Sequence, residues 1–235
     1  MSGLGTPDFF YREAQRLGYV ARSAFKLLQM QKQHKLIAPG DSVLDLGCAP
    51  GAWLQVACQS LGHLKNGGAV VGIDLKKVKV PSIHCDSRVQ TVSADVMELS
   101  REQVMAFSPK GKGFSVILSD MCPSVSGISM KDTILSGELA KRALLLAIGR
   151  NRLSGLDEYS FLFESEDASR DDPDAGVLQP KGNLVMKLLE SEENQRYRDV
   201  CRQHFQKASW LRPKATRSSS KEIYLVCLGL GKAKS

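Results

Sequence analysis

Short apolar runs alternate with longer amphipathic segments along most of the chain beyond residue 41. The runs are rich in Val, Ile and Leu and have strand length, whereas the segments between them have helical spacing. The predicted strands are 42–46, 69–73, 89–93, 114–118, 183–188, 207–211 and 223–228. The predicted helices lie near 52–61, 100–107, 135–149 and 191–205. This alternation predicts an α/β fold in which a mostly parallel sheet carries helices on both faces.

Two segments lie outside this alternation, within what we expect to be one domain spanning 1–235. Residues 8–35 predict an N-terminal helical arm in two pieces, broken at Gly18 and lined with basic side chains. Residues 154–176 are acidic and polar, and we expect them to form an inserted surface loop or a disordered segment. The acidic charge would shield a basic groove, bind a partner, or have no role.

The distribution of charge favours a polyanionic partner. The chain of 235 residues has a net charge of +7 and a pI of about 9.1. Residues 157–174 hold eight acids and one Arg, so their net charge of −7 leaves +14 on the rest of the chain. This positive charge on the rest of the chain predicts a nucleic acid as the partner, with a membrane surface as the second choice.

Cysteine usage and hydropathy limit the other classes of protein. The six cysteines are scattered singly without a C-x-x-C pair, which predicts free thiols in a reducing compartment and no structural metal. No apolar run reaches the roughly 18–20 residues that cross a bilayer. The N-terminus lacks the pattern of a signal or transit peptide, so the sequence leaves the compartment open. A trimmed presequence would leave an organelle such as the mitochondrion among the options.

A glycine turn follows the first predicted strand and reads DLGCAPGAW over residues 45–53. Ligands of open parallel sheets bind at the carboxyl ends of the strands, where such a turn lets the backbone approach closely. Asp74 ends the second strand, where an acid can accept hydrogen bonds from ribose hydroxyls, and Asp95 follows the third, near an adenine amine. The turn lacks the second glycine of a dinucleotide fingerprint, which favours S-adenosylmethionine over a nicotinamide cofactor.

Charged residues at strand ends are the candidate reacting groups. Asp120 ends the fourth strand, Lys187 ends the fifth, and Glu222 begins the last. If the last strand is antiparallel, its start lies beside the carboxyl ends of the others, with Lys26 packing over that edge. A Lys within an apolar strand is unusual, because an unpaired buried ammonium is costly. The alternative is a Lys that snorkels to solvent at a sheet edge.

At these positions the chain resembles the RrmJ/FtsJ family of RNA ribose 2′-O-methyltransferases. The resemblance covers about residues 10–228, apart from the acidic segment. The matching motifs are RSAFKL at 22–27, the turn at 45–53, SDMCP at 119–123, VMK at 185–187 and SKEIY at 220–224. Cys122 departs from the family, which often has Ala there. The resemblance implies a Rossmann-like methyltransferase fold with seven strands, of which one is antiparallel.

The resemblance also implies the roles of individual residues. The catalytic tetrad would be Lys26, Asp120, Lys187 and Glu222. The cofactor S-adenosylmethionine would contact the turn and three strand-end acids, namely Gly47, Pro50, Gly51, Ala52, Trp53, Asp74, Asp95 and Asp120. We further expect RNA to contact basic residues on the arm and before the last strand, namely Arg12, Arg16, Arg22, Lys32, Lys35, Arg212, Lys214, Arg217 and Lys221.

The expected activity is 2′-O-methylation of RNA, first of ribosomal RNA or a ribosomal particle, by a monomer that needs no metal and no membrane. Transfer RNA or an mRNA cap are alternative substrates. A methyltransferase acting on protein or a small molecule would not need Lys26 and Glu222. A non-catalytic RNA-binding factor would be expected to have lost part of the tetrad. Whether Lys187 acts as a base or only orients the hydroxyl stays open at this point.

Overall fold

The computed structural model describes residues 9–123, 126–153 and 175–231. The strands are β1 Ser42–Leu46, β2 Ala69–Asp74, β3 Val89–Ser93, β4 Phe114–Ser119, β5 Leu178–Leu189, β6 Phe205–Leu211 and β7 Glu222–Leu230. The α-helices are α1 Phe9–Leu17, α2 Ala24–His34, α3 Ala52–Ser60, α4 Arg101–Ala106, α5 Ser129–Ile148 and α6 Asn194–His204. None of the helices in these ranges is both long and apolar enough to cross a bilayer.

The strands form one seven-stranded sheet of order β3-β2-β1-β4-β5-β7-β6. Strands β1 to β5 pair in parallel, while β7 is antiparallel to both of its neighbours. The predicted fold class, with one antiparallel strand, is therefore confirmed. The strand order reverses between β1 and β4, and the carboxyl ends of these two strands form the crevice in which such sheets bind ligands.

Helices cover both faces of the sheet, which explains the continuous apolar runs of its central strands. All five residues of β1 are buried. One apolar cluster joins α4, α5 and α6 to one face, and a second cluster joins α2 and α3 to the other. Because α2 and α3 lie on the same face, the arm that carries Lys26 is packed beside the helix that follows the glycine turn.

Two elements are longer than their sequence pattern indicates. Strand β5 starts at Leu178 rather than at 183, with a register shift against β4 between Phe114 and Val116. Helix α5 starts at Ser129 rather than near 135. The sequence pattern does not reveal this start, because the first turns expose Met130 and bury Asp132, the reverse of an amphipathic stripe. The other boundaries differ from the predicted ones by up to three residues.

The acidic segment predicted over 154–176 lies outside the described residues except for its last two. The described chain resumes at Ala175, whose carbonyl accepts a hydrogen bond from Nε of Arg101. Gly176 packs tightly against the backbone of Ala147 at the end of α5.

Candidate active site

Four charged side chains meet at the carboxyl edge of the sheet. Nζ of Lys26 lies 2.5 Å from Oε2 of Glu222. Nζ of Lys187 lies 3.2 Å from Oδ1 of Asp120 and 3.8 Å from Oε1 of Glu222. Glu222 thus bridges two ammonium groups, and the four residues that sequence reasoning selected form one connected cluster.

The topology of the sheet produces this convergence. Asp120 directly follows β4, and its amide donates to the carbonyl of Leu46 at the end of β1. Lys187 lies in β5, opposite Tyr224 of β7. Because β7 is antiparallel, it starts where β4 and β5 end, and this brings Glu222 to the same edge. Lys26 reaches that edge from the first turn of α2.

The side chain of Lys187 is only 4 % exposed, which rules out the alternative that it snorkels to solvent. Its Nζ also donates to the carbonyl oxygen of Asp120 at 2.8 Å. Burial is the largest influence on the pKa of Lys187 and lowers it, but Asp120, Cys122 and Glu222 together outweigh burial and raise that pKa. Lys187 is therefore an ammonium at neutral pH.

Glu222 is held in its charged form by the same cluster. Burial is the largest influence on its pKa and raises it, yet the combined effect of Lys26, Lys187 and a hydrogen bond from Ser220 lowers the pKa below its ordinary value. The cluster therefore holds a carboxylate between two ammoniums, a fixed arrangement of charge in a partly buried site.

Tyr224 belongs to the cluster but was missed by sequence reasoning. Its hydroxyl donates to Oδ1 of Asp120 at 2.7 Å, and its ring packs against Trp53 at a centroid distance of 5.8 Å. Burial, then Asp120 and Glu222, raise the pKa of Tyr224, so the hydroxyl keeps its proton. The signal was present in the sequence, because residues two apart in a strand, here Glu222 and Tyr224, share a face.

The glycine turn adopts the conformation that its sequence predicts. Gly47 and Gly51 have positive φ of 77° and 110°, and a Cβ on Gly47 would lie 2.9 Å from Cα of Met121. Gly51 caps α3, so the free N–H groups of the first helical turn face the crevice end of β1. Nε1 of Trp53 donates to the carbonyl of Ser23 and ties this helix to the start of α2.

The acid that ends β2 and the acid that follows β3 also shape their own loops. Asp74 accepts from the amides of Ala49 and Lys76, each at 2.9 Å. Asp95 accepts from the amide of Met97 at 2.9 Å. The apolar side chain next to Asp74, Leu75, is 71 % exposed, and a flat apolar ligand would cover it.

Asp45 is a second residue that sequence reasoning did not select. Its side chain is fully buried, and neither carboxylate oxygen has a hydrogen-bond partner among the described residues. Burial, then Asp120, then Asp74, raise its pKa well above the ordinary value. Three carboxylates therefore converge beside the turn, and a cationic ligand would relieve their repulsion. The signal was an acid inside the apolar run of β1.

The predicted RNA contacts near the tetrad lie on two adjoining segments. Arg22 donates to the carbonyl of Ala215 at 2.7 Å, which ties the arm to the loop before β7. Burial, followed by repulsion from Arg217, lowers the pKa of Arg22, so these two guanidiniums lie near each other. Arg212 contacts the carbonyl of Ser220 and the carboxylate of Glu190, and Lys221 donates to Ser129.

Lys214 is exposed on the same loop before β7, next to Ala215. Of the other predicted RNA contacts, Arg12 and Arg16 lie on α1, where Arg12 is exposed and Arg16 pairs with Glu13 at 2.6 Å. Lys32 and Lys35 lie at the far end of α2, where Asn183 near the amino edge of the sheet donates to the carbonyl of Leu36. The structure thus separates Lys32 and Lys35 from the tetrad.

This sheet order, with a glycine turn at its switch point and charged side chains along its carboxyl edge, defines a Rossmann-like α/β protein. The model of the FtsJ-like methyltransferase family matches residues 19–230, and the chain belongs to that family. Membership in a methyltransferase family implies a methyl donor.

Curated relatives agree with this assignment, and a solved structure agrees with the fold. A protein of Desulfatibacillum aliphaticivorans named ribosomal RNA large subunit methyltransferase E is 34 % identical, over 93 % of this chain and 88 % of its own length. The protein of that name from Desulfosudis oleivorans is also 34 % identical, over 95 % and 91 %. The fold is similar to a structure described as a putative ribosomal RNA methyltransferase from Plasmodium falciparum, with TM-score 0.65, 20 % identity, and coverage of 91 % of this chain and 100 % of that one.

Proposed function

We propose that this chain transfers a methyl group from S-adenosylmethionine to the 2′-hydroxyl of a ribose in RNA, with ribosomal RNA as the substrate. The observation that carries the proposal is the contact of two ammoniums and two carboxylates directly beside the glycine turn. A cluster of this kind can position a hydroxyl and its flanking phosphate without a metal. The relatives named ribosomal RNA methyltransferases support the choice of substrate.

The residues present fit S-adenosylmethionine, which when bound supplies a methyl group activated on a sulfonium. Asp74 would accept from the ribose hydroxyls and Asp95 from the adenine amine, with Leu75 against the base. The turn residues Gly47, Pro50, Gly51, Ala52 and Trp53 would surround the methionine part. The buried carboxyl of Asp45 has no hydrogen-bond partner among the described residues, and a nearby cation would favour its ionised form. It therefore suits a cationic ligand and opposes the pyrophosphate of a nicotinamide dinucleotide.

Lys187 orients the substrate oxygen rather than removing its proton, because its raised pKa keeps it an ammonium. The ammonium donates to the 2′-oxygen and directs a lone pair of that oxygen toward the methyl carbon. During methyl transfer, Oδ2 of Asp120 would accept the proton that the hydroxyl loses and would pass it to solvent. Oδ1 of Asp120 is held by Tyr224 and Lys187, whereas Oδ2 has no partner among the described residues.

Lys26 and Glu222 hold the nucleotide in place around this reaction. Glu222 accepts a hydrogen bond from Lys26 and forms an ion pair with Lys187, which leaves Lys26 with donors for a ribose oxygen or the flanking phosphate. Arg22 lies near Glu222 and Arg217, and the two arginines extend a cationic surface along which the RNA strand would run.

The test is methyl transfer by a Lys187→Ala variant. We expect its rate on ribosomal RNA to fall by at least about 10³-fold, because the hydroxyl loses both its orienting donor and the ordered Asp120. Calorimetric affinity for S-adenosylmethionine should stay within a few-fold of the parent. Exposed Lys112 of the turn before β4 gives the control Lys112→Ala.

Mapping of 2′-O-methyl marks in total RNA, with and without the protein, identifies the nucleotide. Near-normal turnover of Lys187→Ala would refute the mechanism. Methylation on a base nitrogen or carbon would refute the assigned reaction.

A further inference from the structure

A hollow of about 320 Å³ lies outside the cofactor crevice, between the turn that follows α1 and the loop that follows β2. Its lining includes Gly18, Val20, Gln55, Lys79, Pro81 and Ile83. None of these residues belongs to the tetrad or to the proposed cofactor contacts. Pro81 separates the hollow from the glycine turn, because a Cβ on Gly51 would lie 2.9 Å from its Cγ.

The walls of the hollow are fixed by buried hydrogen bonds. The fully buried amide of Gln55 accepts from the amide of Val20 and donates to the carbonyls of Gly18 and Ile83. One turn along α3, Gln59 contacts the hydroxyl of Tyr19 and the ring of His84. Helix α3 thus holds both rims at a fixed separation, so the hollow is formed before any ligand binds.

The chemistry of the rim is apolar and cationic. Val20 is 48 % and Ile83 53 % exposed, so two large apolar side chains flank the opening. Lys79 lines the hollow, and exposed Lys76 and Lys77 precede it on the same loop. No carboxylate of the described residues lies within ion-pair distance of these three lysines. Apolar walls beneath a cationic rim suit a base whose phosphates remain outside.

We propose that the hollow binds the base of an unpaired nucleotide that flanks the methylated one in the RNA strand, with its phosphate on Lys79. This inference rests on the proposed function, since it takes the substrate to be RNA. The turn that supplies Gly18 and Val20 continues to Ser23, which contacts Trp53, and then to Lys26 of the tetrad. One continuous segment therefore connects the hollow to the reacting ribose.

The experiment measures binding of a short single-stranded RNA of mixed sequence to Lys79→Ala and Ile83→Ala. A matched pair of controls is Leu64→Ala and Lys65→Ala, since Leu64 is 58 % exposed and both residues lie in the short turn that precedes β2, at the opposite edge of the sheet. We expect Ile83→Ala to weaken binding by about threefold or more through lost apolar contact. Lys79→Ala should weaken binding and reduce the slope of log K against log salt by about 0.7.

A second measurement tests whether the base itself occupies the hollow. Replacing single nucleotides next to the methylated one by abasic residues should weaken binding to the parent at one position, and Ile83→Ala should lose that sensitivity. Equal sensitivity in parent and variant, or a preference for duplex RNA that neither variant changes, would overturn the inference. Methyl transfer by the parent is measured in parallel, so that its absence marks a failure of the proposed function instead.

Discussion

At the scale of single residues, Asp45 shows the sharpest conflict between charge and burial. Its carboxyl is fully enclosed, has no hydrogen-bond partner in the described part of the chain and is close to two other acids, and these surroundings raise its pKa. A raised pKa means that the folded state holds a proton that the unfolded state has already released. Stability therefore falls as pH rises from the ordinary pKa of 3.8 toward the folded value.

Asp45→Asn should remove this loss of stability. We expect its free energy of unfolding at neutral pH to exceed that of the parent by at least ~1 kcal/mol, with the difference vanishing in acid. Affinity for S-adenosylmethionine should fall, because Asn cannot ionise to supply a counter-charge when the cationic ligand binds. Denaturant unfolding over a pH series and calorimetry measure the two effects. Exposed Asp199→Asn is the control, and equal pH dependence in parent and Asp45→Asn would contradict the assignment.

A substitution of Glu222 tests whether the charged form of Lys187 is the active form. Glu222 contributes to raising the pKa of Lys187, so Glu222→Gln should lower that pKa. If the ammonium orients the hydroxyl, the decline of kcat at alkaline pH should begin at lower pH in the variant. If the neutral amine were the base, the acid-side rise of kcat would move to lower pH instead. A pH profile of kcat at saturating RNA distinguishes the two, with exposed Glu192→Gln as control.

At the scale of elements, the sequence predicts the strands better than the helices between them. Each strand of the sheet was identified because its apolar run is short and bounded by turn residues. The start of β5 was missed because Gln179 and Lys181 are polar, Pro180 cannot donate a ladder hydrogen bond, and Lys181 has a positive φ of 64°. Asp120, Lys187 and Glu222 could be predicted because they sit at or near strand ends, whereas Lys26 lies on a helix and its role was implied by the family resemblance. Asp45 and Tyr224 could not be assigned, because their roles depend on which strands pair.

Helix α5 positions the loop that carries Asp95, the proposed adenine contact. Arg142 of α5 donates from Nε to the carbonyl of Val96 at 2.8 Å and from Nη2 to the carbonyl of Leu99. It thereby clamps the loop that starts at Asp95. Lys could not reproduce this planar pair of donors.

We expect Arg142→Met to weaken the binding of S-adenosylhomocysteine, which keeps the adenine, by about tenfold, or ~1.4 kcal/mol. The variant should raise the KM for S-adenosylmethionine more than it lowers kcat, and Arg142→Lys should restore little. Calorimetry and steady-state kinetics test this, with exposed Arg202→Met of α6 as the comparison. Loss of kcat at unchanged cofactor affinity would assign Arg142 a different role.

At the scale of the whole molecule, charge is segregated along the sequence. The acidic run of 157–174 carries −7, while the remainder carries +14 and includes the lysines beside the hollow and the arginines beside the tetrad. A body of this charge attracts the phosphate backbone over about a Debye length, and the acidic run opposes that attraction wherever it lies. The acidic run lies outside the described residues, so its expected effect on RNA binding follows from its charge alone.

Replacing the eight acids of 157–174 by Asn and Gln should therefore tighten RNA binding at low salt, mainly through faster association. The advantage should shrink as salt shortens the Debye length from about 10 Å at 0.1 M to about 3 Å at 1 M, because a long-range field is screened whereas a contact is not. Stopped-flow association with a short RNA over a salt series measures this, and an oligomer of the same bases on an uncharged backbone is the control. An advantage that persists undiminished at high salt would show that the acidic run blocks the RNA site by direct contact rather than through its field.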